Sequence, residues 1–176
     1  MKYNISIIVL ITFLITVSCG QNKTTVKRKT ENDIEKTWGQ FLNTVQTANK
    51  QVFKKISNSK INCYYCIENT VIEQEELAVF RETDSLWYDK IYDDLVYIPI
   101  DRFIKDDFDI IFDASFLKIL KEKEPKFSKN RIDGIDYYEI LVTTTEPTEF
   151  HEGGQHSFQF IEIDGLWKFN EIGTIP

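Results

Sequence analysis

The sequence predicts an α+β fold in which N-terminal helices pack on a C-terminal curved antiparallel sheet. Between residues 34 and 120, apolar residues recur every three or four positions, which is the spacing of amphipathic helices. After Pro125 the spacing changes, and segments rich in Tyr, Ile, Val and Thr alternate with turn residues. Helices followed by a run of strands are typical of the α+β class.

The first helix is predicted over residues 34–45, and Asn32 or Asp33 can cap it. Its apolar side consists of residues spaced i, i+4, i+7, i+8 and i+11, namely Ile34, Trp38, Phe41, Leu42 and Val45. A second, short helix has an apolar edge and ends near Ser57. That edge is formed by Val52, Phe53 and Ile56.

Five further segments complete the N-terminal part. Residues 61–67 are apolar and aromatic and predict a strand or a turn. Helices are predicted over residues 71–80 and 85–96. Residues 101–112 and 115–120 predict two more helices, whose first residues, an Asp and a Ser, can cap them.

Three strands are predicted after Pro125, over residues 135–145, 157–163 and 167–172. The Asp164-Gly165 pair between the last two is a strong hairpin signal, because both positions of such a turn need a positive φ. Residues 152–155 contain two glycines and predict the preceding turn.

The N-terminus has the layout of a secretory signal. Lys2 is followed by residues 5–17, which carry no charge and are too few to span a membrane comfortably. Residues 15–19, Ile-Thr-Val-Ser-Cys, resemble the lipobox of bacterial lipoproteins. This resemblance implies that residues 1–18 are removed and that Cys19 is acylated, with palmitate among the expected chains. The alternative is an ordinary cleaved signal peptide.

Residues 19–31 are polar and basic and predict a flexible tether, which leaves residues 32–176 as a single domain. Four basic side chains of the tether can contact anionic headgroups, although a solvated linker is an equal alternative. Because an acidic cluster after the lipidated cysteine would resemble a surface-export signal, the basic tether predicts a periplasm-facing protein of the outer membrane. The basic side chains are Lys23, Lys27, Arg28 and Lys29.

The composition, with 42% hydrophobic and 14% aromatic residues, suits a folded domain. A chain of about 150 residues can bury a core without additional cross-links. The net charge is −7, and the signal peptide contributes one of the positive charges. An acidic domain is a poor partner for nucleic acid, whose binding depends on neutralising phosphates.

The order of elements resembles the nuclear-transport-factor-2-like (NTF2-like) superfamily and, more narrowly, small lipoproteins of unknown function. The matching segments are residues 38–41, Trp-Gly-Gln-Phe, and the hairpin over residues 158–169; the segment 67–97 departs from the simplest version of the fold. The resemblance implies a concavity between helices and sheet. Two functions fit it: a module that binds an envelope protein or a small apolar ligand, or an isomerase- or hydrolase-type enzyme with a polar group inside the cone. Aromatic candidates for lining it are Tyr137, Tyr138, Phe158, Phe160 and Trp167.

Cys63 and Cys66 are the remaining cysteines once Cys19 is acylated. In an oxidising compartment they are expected to form a disulfide. The Cα atoms of residues three apart in a straight strand are separated by roughly 10 Å, whereas a disulfide needs them within about 7 Å. The chain must therefore bend between the two cysteines. Three alternatives stay open: free buried thiols, a thioredoxin-like redox pair, and a zinc site completed by His151 and His156. If the histidines do not bind zinc, His151 is expected to be a solvated loop residue and His156 to cap a strand.

No catalytic residue is predicted. An acidic cluster near the middle of the chain lacks the glycine and terminal glutamate of a calcium loop, which favours a solvated helix face. The cluster contains Asp106, Asp107, Asp109 and Asp113. The sequence contains no nucleophile elbow, phosphate loop or HExxH motif, so no cofactor is expected.

Overall fold

A computed structural model describes the backbone of residues 23–175 and the side chains of residues 33–175. The predicted signal peptide (residues 1–18) and Cys19 lie outside the described residues. So do residues 20–22 of the predicted tether, whereas residues 23–31 form the first part of a helix.

The described chain is α+β, as predicted. Its helices are α1 (Lys23–Gln46), α2 (Lys50–Ile56), α3 (Val71–Thr83), α4 (Trp87–Lys90), α5 (Ile100–Arg102), α6 (Phe108–Ile111) and α7 (Ala114–Glu122). A 3-10 turn (Tyr65–Ile67) and two π-helical turns (Ile91–Leu95 and Phe103–Asp107) lie between them. The strands are β1 (Ser57–Cys63), β2 (Tyr97–Pro99), β3 (Lys126–Ile132), β4 (Ile135–Thr145), β5 (Gly154–Ile163) and β6 (Leu166–Ile175).

The six strands form one open sheet in the order β2-β1-β6-β5-β4-β3. The prediction of an antiparallel sheet is wrong at one place, because β1 pairs with β6 in parallel. The other neighbours are antiparallel. The N-terminal half therefore supplies two strands as well as helices, and β1 reaches a partner that lies more than 100 residues further along the chain.

Two Asp-Gly turns close hairpins in the sheet. The predicted turn at Asp164-Gly165 joins β5 to β6, and both residues have positive φ (52° and 74°). A second, at Asp133-Gly134, has the same conformation (50° and 82°) and joins β3 to β4. Strand β3 was not predicted, because its sequence, Lys-Phe-Ser-Lys-Asn-Arg-Ile, is that of a polar edge strand with little apolar alternation.

Most predicted helices are confirmed, with different boundaries. Helix α1 begins at Lys23 instead of near Asn32, since residues 23–31 contain good helix formers and neither proline nor glycine. The segment 101–112 is not one helix but two short helices joined by a π-helical turn. Asp113, not Ser115, caps α7: its side chain accepts a hydrogen bond from the amide of Phe116 (2.8 Å).

The core lies between the helices and one face of the sheet, called here the helix face. It combines aliphatic and aromatic side chains, and seven of the aromatic rings belong to fully buried phenylalanines: Phe41, Phe53, Phe103, Phe108, Phe158, Phe160 and Phe169. Side chains alternate along a strand, so the residues between these core positions point to the opposite face, called here the open face.

Candidate functional site

The concavity that the sequence predicts between helices and sheet is filled by side chains. Tyr138, Phe158, Phe160 and Trp167 belong to the buried core. The ring of Trp38 packs edge-on against Phe158 at a centroid distance of 5.0 Å, which closes the space from the helix side. These four predicted lining residues therefore pack the core.

A cavity of about 420 Å³ lies on the open face instead. All six strands contribute to its wall, including the two edge strands. Of the predicted lining residues, only Tyr137 belongs to it. The open-face cavity is lined by Asn62, Tyr97, Ile132, Asp133, Ile135, Tyr137, Gln159, Ile161, Asn170 and Glu171.

The floor of the cavity follows a row of polar residues that crosses the sheet. The strand register places Glu139 and Glu171 on either side of Gln159, and Asn62 beside Glu171. Continued to both edges, this polar row reads Tyr97, Asn62, Glu171, Gln159, Glu139 and Ser128. Neighbouring strands lie about 5 Å apart, so the backbones at Glu139 and Glu171 are separated by roughly 10 Å.

A bulge in β6 brings one more amide to this face. Gln159 pairs with Glu171 and Phe160 pairs with Phe169, so Asn170 is the extra residue. Asn170 donates a hydrogen bond to the Gln159 Oε1 (2.8 Å) and accepts one from the Asn58 Nδ2 (2.9 Å). The two hydrogen bonds hold the amides of the cavity floor in place.

The two glutamates of the polar row differ in their surroundings. Glu139 accepts a hydrogen bond from the hydroxyl of Ser157 (3.0 Å). Burial raises the pKa of the Glu171 carboxyl, and the negative charge of Glu139 raises it further. A carboxylate with a raised pKa beside amides and tyrosines can accept hydrogen bonds from a ligand or pair with a cation.

Of the residues around the cavity, Tyr137 was predicted from the sequence, whereas the amides and glutamates of the polar row were not. A signal was present for Glu139 on β4 and Gln159 on β5, which occupy positions that alternate with core residues. Such alternation on a strand is normally that of a solvated face, so it does not by itself mark a binding site.

The structure joins Cys63 and Cys66 by a disulfide, with Cα atoms 5.4 Å apart. The backbone bends after β1 and enters the 3-10 turn Tyr65–Ile67, as the pairing requires. The amide of Cys66 also donates a hydrogen bond to the sulfur of Cys63 (3.2 Å), and both side chains are fully buried.

The zinc alternative is not supported, because the structure does not bring its four residues together. Within residues 33–175, no group of three or more His, Cys, Asp or Glu side chains is arranged to hold a metal ion. His151 is exposed, and its Nδ1 accepts a hydrogen bond from the amide of Gly153 (2.8 Å). His156 lies inside β5, where burial lowers the pKa of its ring and Phe116 packs against it.

The acidic cluster separates into different environments. Asp106 and Asp109 are exposed and form ion pairs with lysines, whereas Asp113 caps α7. Asp107 is buried (2% exposed), so the prediction of a solvated helix face is wrong at this position. Its Oδ1 accepts a hydrogen bond from Asn69 (2.9 Å), and its Oδ2 has no partner among the described residues. Burial raises the pKa of Asp107 to about 6.

We expect Cys63 and Cys66 to resist alkylation when the protein is unfolded in urea without a reductant. Unfolding removes the protection that burial gives, so in the unfolded chain only a disulfide would keep the two sulfur atoms unreactive. Mass spectrometry after treatment with iodoacetamide measures this, and addition of a reductant should make both residues reactive. Alkylation of both cysteines in the unreduced, unfolded sample would contradict the disulfide.

The chain matches no protein-family model, no curated protein and no solved structure. Within residues 23–175, no helix combines the length and hydrophobicity that a membrane span requires.

Proposed function

We propose that this chain is a lipid-anchored lipoprotein of the bacterial envelope whose domain binds a small ligand on the open face of its sheet. The anchor is the acyl group expected on Cys19, and more than one acyl chain is needed for stable attachment to a membrane. The tether is basic and not acidic, which supports a periplasm-facing position at the outer membrane.

The open-face cavity is the observation that carries the binding proposal. At about 420 Å³ it lies within the usual range of small-molecule sites, which is about 300–1,000 Å³. Its lining combines isoleucines and tyrosines with a few amides and carboxylates, as ligand sites commonly do. The hydrogen-bonded amides of Gln159 and Asn170 provide polar groups whose positions are already fixed.

The domain is proposed to be a divergent member of the NTF2-like superfamily. The helices that cover one face of the sheet and the hairpin at Asp164-Gly165 support this proposal. The alternative, an NTF2-like enzyme, requires a polar group inside the helix-covered cone. Because buried aromatic and aliphatic side chains fill the helix face, the non-catalytic binding function is better supported.

Replacement of Cys19 by alanine should abolish labelling of the protein by an alkynyl fatty-acid analogue in cells. The reason is that the acyl chains are expected on this residue and on the amino group that its processing exposes. A variant with both Cys63→Ala and Cys66→Ala is the matched control and should keep the label. Persistent labelling of the Cys19→Ala variant would contradict the proposal that the protein is anchored through Cys19.

Replacement of Ile161 by tryptophan should weaken ligand binding at the open-face cavity, because the larger side chain occupies part of its volume. The measurement is ligand-observed NMR of the full-length protein in detergent with a defined set of small amines, alcohols, carboxylates and sugars. Ile110→Trp, at an exposed position of α6, is the control and should bind like the wild type. Equal binding by both variants would place the site elsewhere.

A further inference from the structure

The open-face cavity carries negative charge that its own lining does not balance. Asp133 and Glu171 line it, and Glu139 lies in the same polar row. No lysine or arginine is among the described residues that form the wall. Lys60 on β1 lies outside the wall, and Lys168 on β6 donates a hydrogen bond to the carbonyl of Lys55.

Glu171 shows the effect of this imbalance. Its side chain is half-buried, has no ion-pair partner among the described residues and stands two strands from Glu139. Burial and the charge of Glu139 both oppose ionisation of Glu171. A positive charge placed in the cavity would offset both effects, and its attraction is strengthened where water is partly excluded.

The other end of the cavity is apolar. Ile132 and Ile135 flank the β3–β4 turn, and each is more than half exposed although both are large aliphatic residues (57% and 55%). Ile161 on β5 and the ring of Tyr137 continue this surface towards the polar row. A ligand with an apolar body would cover the isoleucines, and tyrosine rings also attract cations to their faces.

We infer that the open-face cavity binds an amphipathic amine, with the ammonium group among the polar row and the apolar body against the isoleucines of the β3–β4 end. This inference rests on the binding function proposed above and adds the chemical class of the ligand. It follows from charge complementarity at one end of the cavity and apolar complementarity at the other.

Three probes with similar apolar bodies test the class: 2-phenylethylamine, 2-phenylethanol and 3-phenylpropanoate. Binding to the full-length protein in detergent micelles is measured at pH 7.5 by NMR titration, and the signal from empty micelles is subtracted. We expect the amine to bind about tenfold more tightly than the alcohol, because only the amine gains the attraction of the carboxylates. The carboxylate should bind most weakly, and salt should weaken binding of the amine.

The Glu171→Gln variant should bind the amine about tenfold more weakly and the alcohol unchanged, since the amide keeps the size of the side chain and removes its charge. Glu162→Gln is the matched control. Glu162 lies on the same pair of strands and is exposed, but strand alternation places it on the helix face together with Phe160. The Glu162→Gln substitution changes the net charge by the same amount as Glu171→Gln and should leave binding of the amine unchanged.

The outcomes separate this inference from the proposed function. If the alcohol or the carboxylate binds as tightly as the amine, and Ile161→Trp removes that binding, the cavity is a ligand site and the inferred class is wrong. Equal loss of amine binding in Glu171→Gln and Glu162→Gln also overturns the class, because net charge alone would then explain it. If no probe binds, or all bind equally to Ile161→Trp, the inference and the proposed site both fail.

Discussion

Replacing Phe41 with alanine should lower the free energy of unfolding by about 3–5 kcal/mol, the usual range for loss of a buried aromatic ring. Phe41 is fully buried on α1, and six other aromatic rings have centroids within 6.1 Å of its own. Three of those rings lie on β5 and β6, so the phenylalanine joins the first helix to the centre of the sheet.

Urea unfolding of the full-length protein in detergent measures this effect. Tryptophan fluorescence provides the signal, because Trp38 stacks on Phe41 with centroids 5.3 Å apart. Phe150→Ala is the control: the same atoms are removed, but this side chain is 93% exposed and its loss should change stability by less than about 0.5 kcal/mol. Equal unfolding midpoints for both variants would show that the aromatic cluster does not hold the helices to the sheet.

The position of Phe41 could be predicted from the sequence, whereas its strand partners could not. The spacing of Ile34, Trp38 and Phe41 repeats within a few residues, so it reveals a helix and its buried side. The hairpin at Asp164-Gly165 was predictable for the same reason, since its signal is contained in two adjacent residues. Local patterns of this kind account for the α+β class and for most of the elements.

Pairing over long distances in the chain was not predictable. Strand β1 lies beside β6 in parallel, and nothing in either segment indicates the partner or the direction. The cavity shares this difficulty, because Asn62, Gln159 and Glu171 come from three strands and meet only through the register of the sheet. Of the cavity residues, Tyr137 alone was predicted from the sequence. It was expected in a concavity between the helices and the sheet, but it lies on the open face.

Burial of single polar residues was equally hidden. Asp107 stands between Asp106 and Asp109 in the sequence, and the three carboxylates look alike there. In the π-helical turn that ends at Asp107, this carboxylate is buried together with Phe103, while Asp106 and Asp109 stay exposed. Its pH dependence is therefore a property that only the structure suggests.

Asp107→Asn should stabilise the protein at pH 7.5 and lose this advantage at pH 4. In the folded chain the pKa of Asp107 is about 6, compared with 3.8 ordinarily, because burial disfavours the charge. Asn69 and Arg102 reduce this effect, and Glu73 and Asp106 add to it. Between about pH 4 and pH 6 the folded state holds a proton that the unfolded state releases, so the contribution of Asp107 to stability decreases as the pH rises.

At pH 7.5, well above this pKa, the loss is nearly complete and amounts to about 3 kcal/mol for a shift of this size. Asparagine removes the charge and keeps an oxygen that can accept the hydrogen bond from Asn69. Its NH2 group, however, would occupy the position of the Oδ2, which has no hydrogen-bond partner among the described residues, and this costs about 1 kcal/mol of stability. We therefore expect a net gain of about 1–2 kcal/mol at pH 7.5 and a small loss at pH 4. The measurement is urea unfolding of variant and wild type across this range, with exposed Asp93→Asn as control. The difference in free energy of unfolding between variant and wild type should change sign between pH 4 and pH 7.5, because burial raises the pKa of Asp107. A difference that stays constant over this range would mean that Asp107 ionises as readily as a solvated aspartate.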